Sequence, residues 1–416
     1  MIRAVKGAKD LYGRDMAKWL KIENAARAVC AEFHVGEIRT PVFEYTELFS
    51  RSAGGTTDIV QKEMYTFTDK GGRSLTLKPE ETAPAVRAFI ERSLYADVLP
   101  RKFFYISPCF RYERPQAGRL RQFHQFGAEY YGSKNPEADA EVIELARTVL
   151  SRLGLDNVRL CINSLGRAER REKYNGVLKG FLKNNLDNLC PTCRERFEKN
   201  PLRALDCKNP DCGEIIKDAP SPIETLDKEC LSHFETVKRC LDSVGVKYEV
   251  SPKMVRGLDY YTRTVFEFVS DDIGAQGSVC GGGRYDGLIS GLGGPDMGAV
   301  GFAVGIERIM MSMPDDDEKD SVEFYVGSLG ERGVYKAREI AAGLRARGFS
   351  AETDIMGRGV KAQLKHADRI GANYCVIIGE NELITGSASV KNMKTGETSN
   401  LPLDEVFRID DYPKKS

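Results

Sequence analysis

This chain has few histidines, a single tryptophan and no long apolar run. Its 416 residues include four histidines, and they form no Ser-His-Asp or histidine-rich metal pattern that would indicate nucleophilic or metal catalysis. No apolar stretch approaches the roughly 18 residues that a membrane span requires. Residues 1–10 carry charged side chains instead of an apolar segment with a cleavage site. We therefore expect a cytoplasmic protein with no membrane contact.

Two other features that the sequence lacks are net charge and a disulfide pattern. Lys plus Arg and Asp plus Glu number 61 each, so the chain lacks the basic footprint that nucleic-acid binding usually leaves. Any such contact must be local. The 11 cysteines are odd in number and scattered, and no secretory signal is visible. Reduced thiols are therefore expected rather than a disulfide framework.

The length of the chain and the change in amino-acid composition along it predict several domains. A chain of 416 residues exceeds what one hydrophobic core usually supports. Residues 167–245 are rich in Lys, Arg, Glu and Asn, and both ends have helical periodicity, so we predict a mostly helical insertion there. It interrupts a larger core of residues 1–166 and 246–318. Residues 319–416 form a separate small domain after an acidic run.

Hydrophobic periodicity predicts a mixture of helices and strands. Helical spacing predicts helices at residues 17–33, 83–93, 136–153 and 300–313. Strand-like composition predicts extended segments at residues 38–48, 65–77, 103–107, 123–132 and 256–269. The first of these is expected to be buried. In the last domain helices alternate with strands, which is typical of a small α/β domain. Its predicted strands are residues 323–327 and 374–379, and its predicted helices are residues 334–348 and 360–371.

A charged turn, with the sequence FRYERPQ at 110–116, joins two predicted strands into a long hairpin. Side chains alternate along a strand, so Phe123, Gln125 and Glu129 point the same way. A ring, an amide and a carboxylate then share one surface, next to arginines that can bind phosphates in bidentate fashion. This pattern indicates a pocket for a nucleotide and an amino acid, although a solvated hairpin face would explain the motif taken alone.

The Phe-Arg-x-Glu sequence that opens this hairpin resembles motif 2 of class II aminoacyl-tRNA synthetases. Four other segments, in the order of that family, are similar to motifs 1 and 3 and to two segments specific to its histidyl-tRNA synthetase branch. They are IRTP at 38–41, RGLDYY at 256–261, GGGRYDGL at 281–288 and GFAVGIER at 301–308. Taken singly, the glycine run is typical of a tight turn and the paired tyrosines are typical of a core. Their joint order favours the family.

The resemblance implies an α+β catalytic domain built on an antiparallel sheet with flanking helices, the helical insertion, and a C-terminal α/β anticodon-binding domain. It also implies ATP-dependent activation of L-histidine to histidyl-adenylate and transfer to tRNA(His), giving AMP and pyrophosphate. Mg²⁺ is expected to bridge the ATP phosphates. A homodimer is expected, with residues 38–48 at the subunit contact. The alternative is a catalytically inactive, synthetase-like regulatory subunit of histidine biosynthesis, which would lose catalytic positions and the terminal domain.

The same resemblance assigns residues to the site. A carboxylate that attacks an α-phosphate needs cations rather than a general base, and Arg111 and Arg256 fit the catalytic role. Histidine is expected to contact Glu80, Glu81, Thr82, Arg111, Gln125, Glu129, Arg256, Tyr260 and Tyr261. Of these, Glu129 and Tyr261 would bind the imidazole, and Glu81 stands where the family often has glycine. ATP is expected to contact Arg111, Glu113, Arg121, Phe123 and Arg308.

Four clustered cysteines have the spacing of a four-thiolate zinc site. They are Cys190, Cys193, Cys207 and Cys212. A lone CxxC pair is common, but a second pair so close to it is rarer. A set of reduced structural thiols remains the alternative. Any zinc here would be structural and is expected to lie far from the catalytic residues.

The C-terminal domain carries local positive charge. Residues 332–369 contain more basic than acidic side chains. Such a surface would bind the phosphates of a tRNA even though the chain as a whole is neutral.

Overall fold

The computed structural model describes residues 2–52, 57, 59–270, 277–314 and 321–407. The chain forms two compact units, residues 1–314 and 315–416. Most of the acidic run between them lies outside the described residues. Across the described part of the chain, no helix is long and apolar enough to cross a membrane.

The first unit combines strands with helices of very different length. Its strands are β1 (Gly36–Glu37), β2 (Phe43–Tyr45), β3 (Tyr65–Thr68), β4 (Ser74–Leu77), β5 (Arg101–Phe110), β6 (Gln122–Tyr131), β7 (Arg159–Ser164), β8 (Glu249–Val250), β9 (Thr262–Val269), β10 (Ser278–Arg284) and β11 (Ala299–Gly305). Its helices are α1 (Gly13–Glu32), α2 (Thr46–Ser52), α3 (Thr82–Glu91), α4 (Pro136–Arg152), α5 (Ala168–Lys183), α6 (Pro191–Lys199), α7 (Pro210–Ile216), α8 (Lys228–Ser243), α9 (Gly287–Gly291) and α10 (Ile306–Ser312).

The main sheet of this unit has the strand order β1-β5-β6-β11-β10-β9-β7-β8. Neighbours from β5 to β7 in that order run antiparallel, whereas β1 and β8 join the edges in parallel. The long hairpin β5–β6 starts with Arg101 opposite Tyr131. The antiparallel sheet and the long hairpin are therefore confirmed. A second small sheet, β2-β4-β3, contains the predicted hairpin of residues 65–77.

Helices α1, α4 and α8 pack on one face of the main sheet and form its core. The strands contribute alternate residues to this core, such as Phe126 and Ala128 on β6 and Val300 and Phe302 on β11. Apolar residues three and four apart on α4 complete it, beginning at Val142. Because side chains alternate along a strand, the intervening residues point to the opposite face.

The insertion between β7 and β8 consists of helices α5 to α8 joined by short turns, which confirms its predicted helical character. Helix α5 contributes Tyr174, Leu178 and Leu182 to a small core of its own, and Cys193 and Cys212 belong to the same core. Helix α8 instead packs against α4. The insertion is thus tied to the main core at its C-terminal end.

Three predictions about local structure are wrong. Residues 300–305 belong to β11 instead of starting a helix, because they alternate large and small residues at the centre of a sheet. Residues 256–261 are irregular, and the strand begins only at Thr262. Residues 38–48 are largely exposed, and Phe43 is 52% exposed, although Glu44 and Leu48 within this range are buried.

The second unit is a small α/β domain, as predicted. Its strands are β12 (Phe324–Ser328), β13 (Ala351–Thr353), β14 (Tyr374–Ile378), β15 (Ser387–Asn392) and β16 (Thr398–Pro402), and its helices are α11 (Gly330–Ala346), α12 (Val360–Arg369) and α13 (Glu380–Thr385). The sheet order is β13-β12-β14-β15-β16, with the last two strands antiparallel to their neighbours. The sequence did not reveal the short β13 or the pair β15–β16, which is mostly polar and contributes only Ala388 and Val390 to the buried side chains of β15.

Candidate active site

A cavity of about 1050 Å³ opens on the face of the main sheet that the core helices leave free. Gln125 and Glu129 of β6 point into it, since Phe126 and Ala128 beside them belong to the core on the other face. Strands β9, β10 and β11 complete its floor. Ten of the residues expected at the site line this cavity, namely Glu80, Thr82, Arg111, Glu113, Gln125, Glu129, Arg256, Tyr260, Tyr261 and Arg308.

Glycines on the cavity floor leave room for functional side chains. A side chain at Gly281 would clash with the guanidinium group of Arg256, and one at Gly301 would overlap the carboxylate of Glu129. Gly281 lies inside strand β10, so the glycine run is not the tight turn that its sequence suggests. Glycine is needed at these positions because charged groups lie directly against the sheet backbone.

The carboxylate of Glu129 is buried and held by three hydroxyl groups. Thr82 Oγ1 donates to its Oε1 over 2.8 Å and Tyr105 Oη over 3.0 Å, while Tyr285 Oη donates to its Oε2. Burial raises the pKa of Glu129 to about 8, outweighing the hydroxyl donors, which lower it. A carboxyl group held in this way can bind an N–H group on a small polar ring.

Three tyrosine rings form an aromatic wall beside this carboxylate. The ring centre of Tyr260 lies 4.7 Å from that of Tyr261 and 5.4 Å from that of Tyr285. Sequence reasoning missed both Tyr105 and Tyr285, although Tyr285 lies within the GGGRYDGL segment that could have marked it. Tyr105 lies in an apolar strand, and only the strand register places it beside Gly127.

The carboxylate of Glu80 caps the start of helix α3. It accepts hydrogen bonds from the backbone N–H groups of Thr82 and Ala83, over 2.8 and 2.9 Å. These are donors that a helix cannot satisfy within its first turn. Burial raises the pKa of Glu80. Glu80 therefore fixes the helix start that carries Thr82, a structural role that the sequence motif does not reveal.

Arg256 lies deep in the cavity, against the sheet. Its Nη1 lies 3.0 Å from Glu267 Oε1. Its Nε is buried and has no hydrogen-bond partner in the described part of the chain. Burial disfavours the charged form, but Glu267 and the nearby Tyr261 hold the pKa of Arg256 above its usual value. A fixed cation with an unused donor is suited to bind an anionic oxygen.

Arg111 presents a second cation from the end of the hairpin strand. Its Nε donates to Pro79 O over 2.8 Å, and its guanidinium carbon lies 5.1 Å from the ring centre of Phe123. Glu113 lies 3.8 Å from Arg111 Nη1 and 3.5 Å from Arg119 Nε. Two arginines thus share one carboxylate, which leaves positive charge unbalanced at the cavity wall.

Arg308, at the start of α10, adds to this positive charge. Its Nη1 donates to Ser278 O over 2.8 Å, which fixes the guanidinium group over β10. Burial lowers the pKa of Arg308, and the neighbouring Arg119 and Arg111 lower it further. Crowded arginines repel one another until an anion lies between them, so this side of the cavity favours a polyphosphate.

Three of the predicted site residues are not among the described residues that line the cavity. Glu81 is instead a buried partner of Lys78, whose Nζ lies 2.7 Å from Glu81 Oε2. Arg121 lies over the ring of Tyr112, 4.0 Å from its centre. The ring of Phe123 is covered by the guanidinium group of Arg111. Direct ligand contact by these three residues stays a prediction.

The four cysteines come together in the folded insertion. Their Sγ atoms all lie within 4.8 Å of one another, and Cys190 Sγ is 3.8 Å from Cys207 Sγ. The backbone N–H of Cys190 points to Cys212 Sγ over 3.2 Å. Cys190 and Cys207 also line the cavity that holds Arg256. The expectation that the cluster lies far from the catalytic residues is therefore wrong, because the insertion folds back to form a cavity wall.

Known protein families match both units of the chain. The histidyl-tRNA synthetase family model matches residues 7–309, and the anticodon binding domain model matches residues 323–409. A histidine–tRNA ligase of Clostridium perfringens is 50% identical over 415 residues, which cover 98% of this chain and 99% of that protein. A histidine–tRNA ligase of Thermoanaerobacter pseudethanolicus is 50% identical over 410 residues, 98% of each chain.

Solved structures give the same picture. Apo histidyl-tRNA synthetase from S. aureus matches with a TM-score of 0.83 and 36% identity, covering 98% of this chain and 99% of that one. A Bacillus halodurans structure described as an ATP phosphoribosyltransferase regulatory subunit/histidyl-tRNA synthetase matches with a TM-score of 0.68 and 22% identity, over 91% and 98% of the two chains, and shows the fold alone. Identity over almost the whole length, together with the arrangement of the cavity, places this chain in the histidyl-tRNA synthetase family.

Proposed function

We propose that this chain is a histidine–tRNA ligase, which activates L-histidine with ATP and transfers it to tRNA(His). The observation that carries the proposal is the position of Glu129. This buried carboxyl group, ringed by hydroxyls, shares one cavity with Arg111 and Arg256. A polar-ring pocket next to a polyphosphate site is what a histidine-activating enzyme requires.

The imidazole of histidine binds between Glu129 and the tyrosine wall. A neutral imidazole offers one N–H donor and one bare nitrogen, so it needs an acceptor on one side and a donor on the other. Glu129 supplies the acceptor and Tyr261 the donor. Glu80, Thr82 and Gln125 lie at the same cavity and receive the α-ammonium group. Amino acids without ring nitrogens leave these polar groups buried and unpaired, which disfavours their binding.

The chemical step is the attack of the histidine carboxylate on the α-phosphate of ATP. An oxygen–phosphorus bond forms as the bond to the leaving pyrophosphate breaks, and negative charge accumulates on the phosphorus oxygens. Arg256, with its unused Nε, and Arg111 stabilise that charge. Arg308 and Glu113 hold the nucleotide. Carboxylate oxygens at the cavity would be suitable ligands for Mg²⁺ bound with ATP, and the ion would supply positive charge against the phosphates.

Histidine-dependent exchange of labelled pyrophosphate into ATP tests this function. We expect exchange with L-histidine and ATP, and none when another amino acid replaces histidine. The rival function is the regulatory subunit, whose fold the chain shares. Because that protein needs no activation chemistry, absence of exchange by a folded, full-length chain would favour the rival.

Transfer to tRNA requires the C-terminal domain, which we place at residues 319–416. The catalytic core then comprises residues 1–166 and 246–318, separated by the insertion at residues 167–245. Deleting residues 322–416 is expected to spare pyrophosphate exchange and to weaken tRNA charging greatly, because the anticodon contact is lost. Charging of full-length tRNA by the truncated chain with unchanged efficiency would contradict this division of labour.

A homodimer is the expected assembly. Residues 38–48 leave apolar side chains on the surface, and Val42, Phe43 and Tyr45 are 39%, 52% and 55% exposed. Such a strip favours a subunit contact. Sedimentation at micromolar concentration is expected to give a dimer, and Phe43→Asp is expected to shift it towards monomer. A wild-type monomer would contradict the proposal.

The cysteine cluster is suited to hold one structural zinc ion. Zinc–thiolate bonds are about 2.3 Å long, so the sulfurs of a tetrahedral site lie about 3.8 Å apart. The Cys190–Cys207 sulfur distance is 3.8 Å. Elemental analysis of protein purified without added metal is expected to give one zinc per chain, and Cys212→Ser is expected to lose it. Zinc-free protein with four free thiols would favour the alternative of simple reduced cysteines.

A further inference from the structure

The cysteine cluster closes a loop that touches the segment of Arg256. Cys193 lies on α6 and Cys207 follows a short 3₁₀ turn, Pro201–Asp206, so that residues 194–206 run between two sulfurs of the cluster. Arg196 Nη1 donates to Arg203 O within this loop over 3.0 Å. Residues 194–199 of this loop belong to helix α6 and residues 201–206 form the 3₁₀ turn, so with both ends held at the cluster it has few conformations left.

Two side chains of this loop reach the catalytic segment 256–261. Asn200 Nδ2 donates to Asp259 Oδ1 over 2.6 Å. Arg203 Nη1 donates to the backbone carbonyl of Arg256 over 3.4 Å and lies 3.3 Å from where a side chain at Gly257 would begin. The segment is irregular and lacks a strand partner, so these side-chain bonds replace the ladder that would otherwise hold it.

A third contact comes from helix α5 of the same insertion. Arg171 Nη1 donates to Tyr261 O over 2.9 Å and also to Asp259 O. Burial lowers the pKa of Arg171. The insertion therefore contacts the segment at both of its ends, at Arg256 and at Tyr261, which are the residues assigned to the phosphate and to the imidazole.

We propose that the loop closed by the four cysteines positions the catalytic segment, with Asn200 and Arg203 as positioning residues. The proposal rests on the function and the zinc site proposed above. Closure of the cluster fixes the loop, the loop fixes residues 256–261, and the segment in turn sets the Arg256 guanidinium against Gly281. Because small displacements of a catalytic group can cost about 100-fold in rate, opening the cluster slows the chemical step while leaving ATP affinity largely intact.

Kinetics of pyrophosphate exchange test this coupling in the full-length chain. Cys212→Ser opens the cluster, and Asn200→Ala removes a loop contact without touching the main cavity. Each is expected to lower kcat at least about tenfold with the KM for ATP within about twofold. Their matched controls are Cys240→Ser, a cysteine outside the cluster, and Glu195→Ala, an exposed residue of the same loop, and both are expected to behave as wild type.

The double variant distinguishes positioning from general damage. If both changes act through the same segment, Cys212→Ser/Asn200→Ala is expected to be no slower than the worse single variant, because the effects are not additive. Multiplied effects, or an Asn200→Ala variant as fast as Glu195→Ala, would overturn the proposal. Arg203→Lys is expected to be faster than Arg203→Ala, since an ammonium group keeps one donor near the carbonyl.

Amide hydrogen exchange supplies a readout that does not depend on activity. Residues 256–261 are expected to exchange faster in Cys212→Ser and in Asn200→Ala than in the two controls. Unchanged protection of this segment would also overturn the proposal. Suppose that residues 256–261 are protected from hydrogen exchange in the wild-type chain and lose protection in the two variants, but the chain activates no histidine. That result would refute the proposed function and leave the positioning role of the loop intact, so failure of one proposal can be told from failure of the other.

Discussion

The two faces of strand β6 carry opposite chemistry although their residues alternate along the chain. Phe126 and Ala128 belong to the apolar core beneath helices α1, α4 and α8, whereas Gln125 and Glu129 point into the polar cavity. Neighbouring residues of the strand therefore serve different purposes, since one set stabilises the core and the other lines the cavity. Substitutions on the apolar side should lower stability, whereas substitutions on the cavity side should lower activity.

The largest effect is expected on the apolar face. Phe126 is fully buried and packs edge-on against Phe302, with ring centres 5.5 Å apart. Phe126→Ala is expected to lower the free energy of unfolding by about 3–5 kcal/mol, because it removes buried surface and leaves a cavity. Urea denaturation measures this loss. Exchange activity per folded molecule should change little, and a large loss of activity with normal stability would break the comparison.

On the cavity side of the sheet, which the polar face of β6 lines, Arg256→Ala should do the reverse. Losing one preorganised donor to developing charge costs about 2.7–4 kcal/mol, so the rate of adenylate formation is expected to fall by about 10²–10³. The melting temperature should stay close to wild type. A surface arginine on α4 provides the control, since Arg152→Ala removes an exposed ion pair and should leave both quantities unchanged. Near-normal exchange by Arg256→Ala would refute the catalytic assignment.

Within the polar face, the imidazole contacts should affect histidine and not ATP. Glu129→Gln is expected to raise the KM for histidine by a factor that corresponds to about 1.5–3 kcal/mol of binding free energy, since it removes a charge-assisted bond. For Tyr261→Phe the factor is expected to correspond to about 0.5–1.5 kcal/mol. Steady-state exchange with each substrate varied in turn separates the two effects. Weakened ATP binding with unchanged histidine affinity would reassign both residues.

The smallest effect concerns pH. Burial raises the pKa of Glu129 to about 8, so the carboxyl group of the empty pocket is mostly protonated at pH 7 and becomes ionised as the pH rises. Because the ionised form is the one proposed to accept the imidazole N–H, the KM for histidine is expected to fall about fivefold between pH 7 and 8 and to level off above. Glu129→Gln should abolish this dependence. A histidine KM that rises over this range in wild type would contradict the assignment.

The sequence motifs identified most of the residues that line the cavity, because functional side chains occur there at a regular spacing or in a recognisable order. Alternation along β6 placed Gln125 and Glu129 on one face, and motif order placed Arg256 with Arg111 although they are far apart in the chain. Ten of the expected residues do line the cavity. These residues could be predicted because their placement follows from the alternation of side chains along a strand and from the order of the motifs.

Other features depend on tertiary contacts that no local pattern carries. Tyr105 reaches Glu129 only through the register of β5 and β6, and Glu81 turns away because Lys78 is buried next to it. The glycine at 281 is explained by an arginine that arrives from another segment. The cysteine spacing predicted a cluster but could not tell that the insertion folds back against the cavity, because that placement is set by contacts between distant segments.

The chain's glycines differ sharply in what they offer to protein engineering. Gly301 cannot be replaced without a clash, since the carboxylate of Glu129 fills the space that a side chain there would need. Gly176 and Gly180 lie exposed within helix α5 and have open space around them. Alanine at these helical positions would restrict the unfolded chain and favour the helix. A stabilised variant can therefore be designed by filling the glycines of the insertion while the glycines of the cavity floor are left untouched.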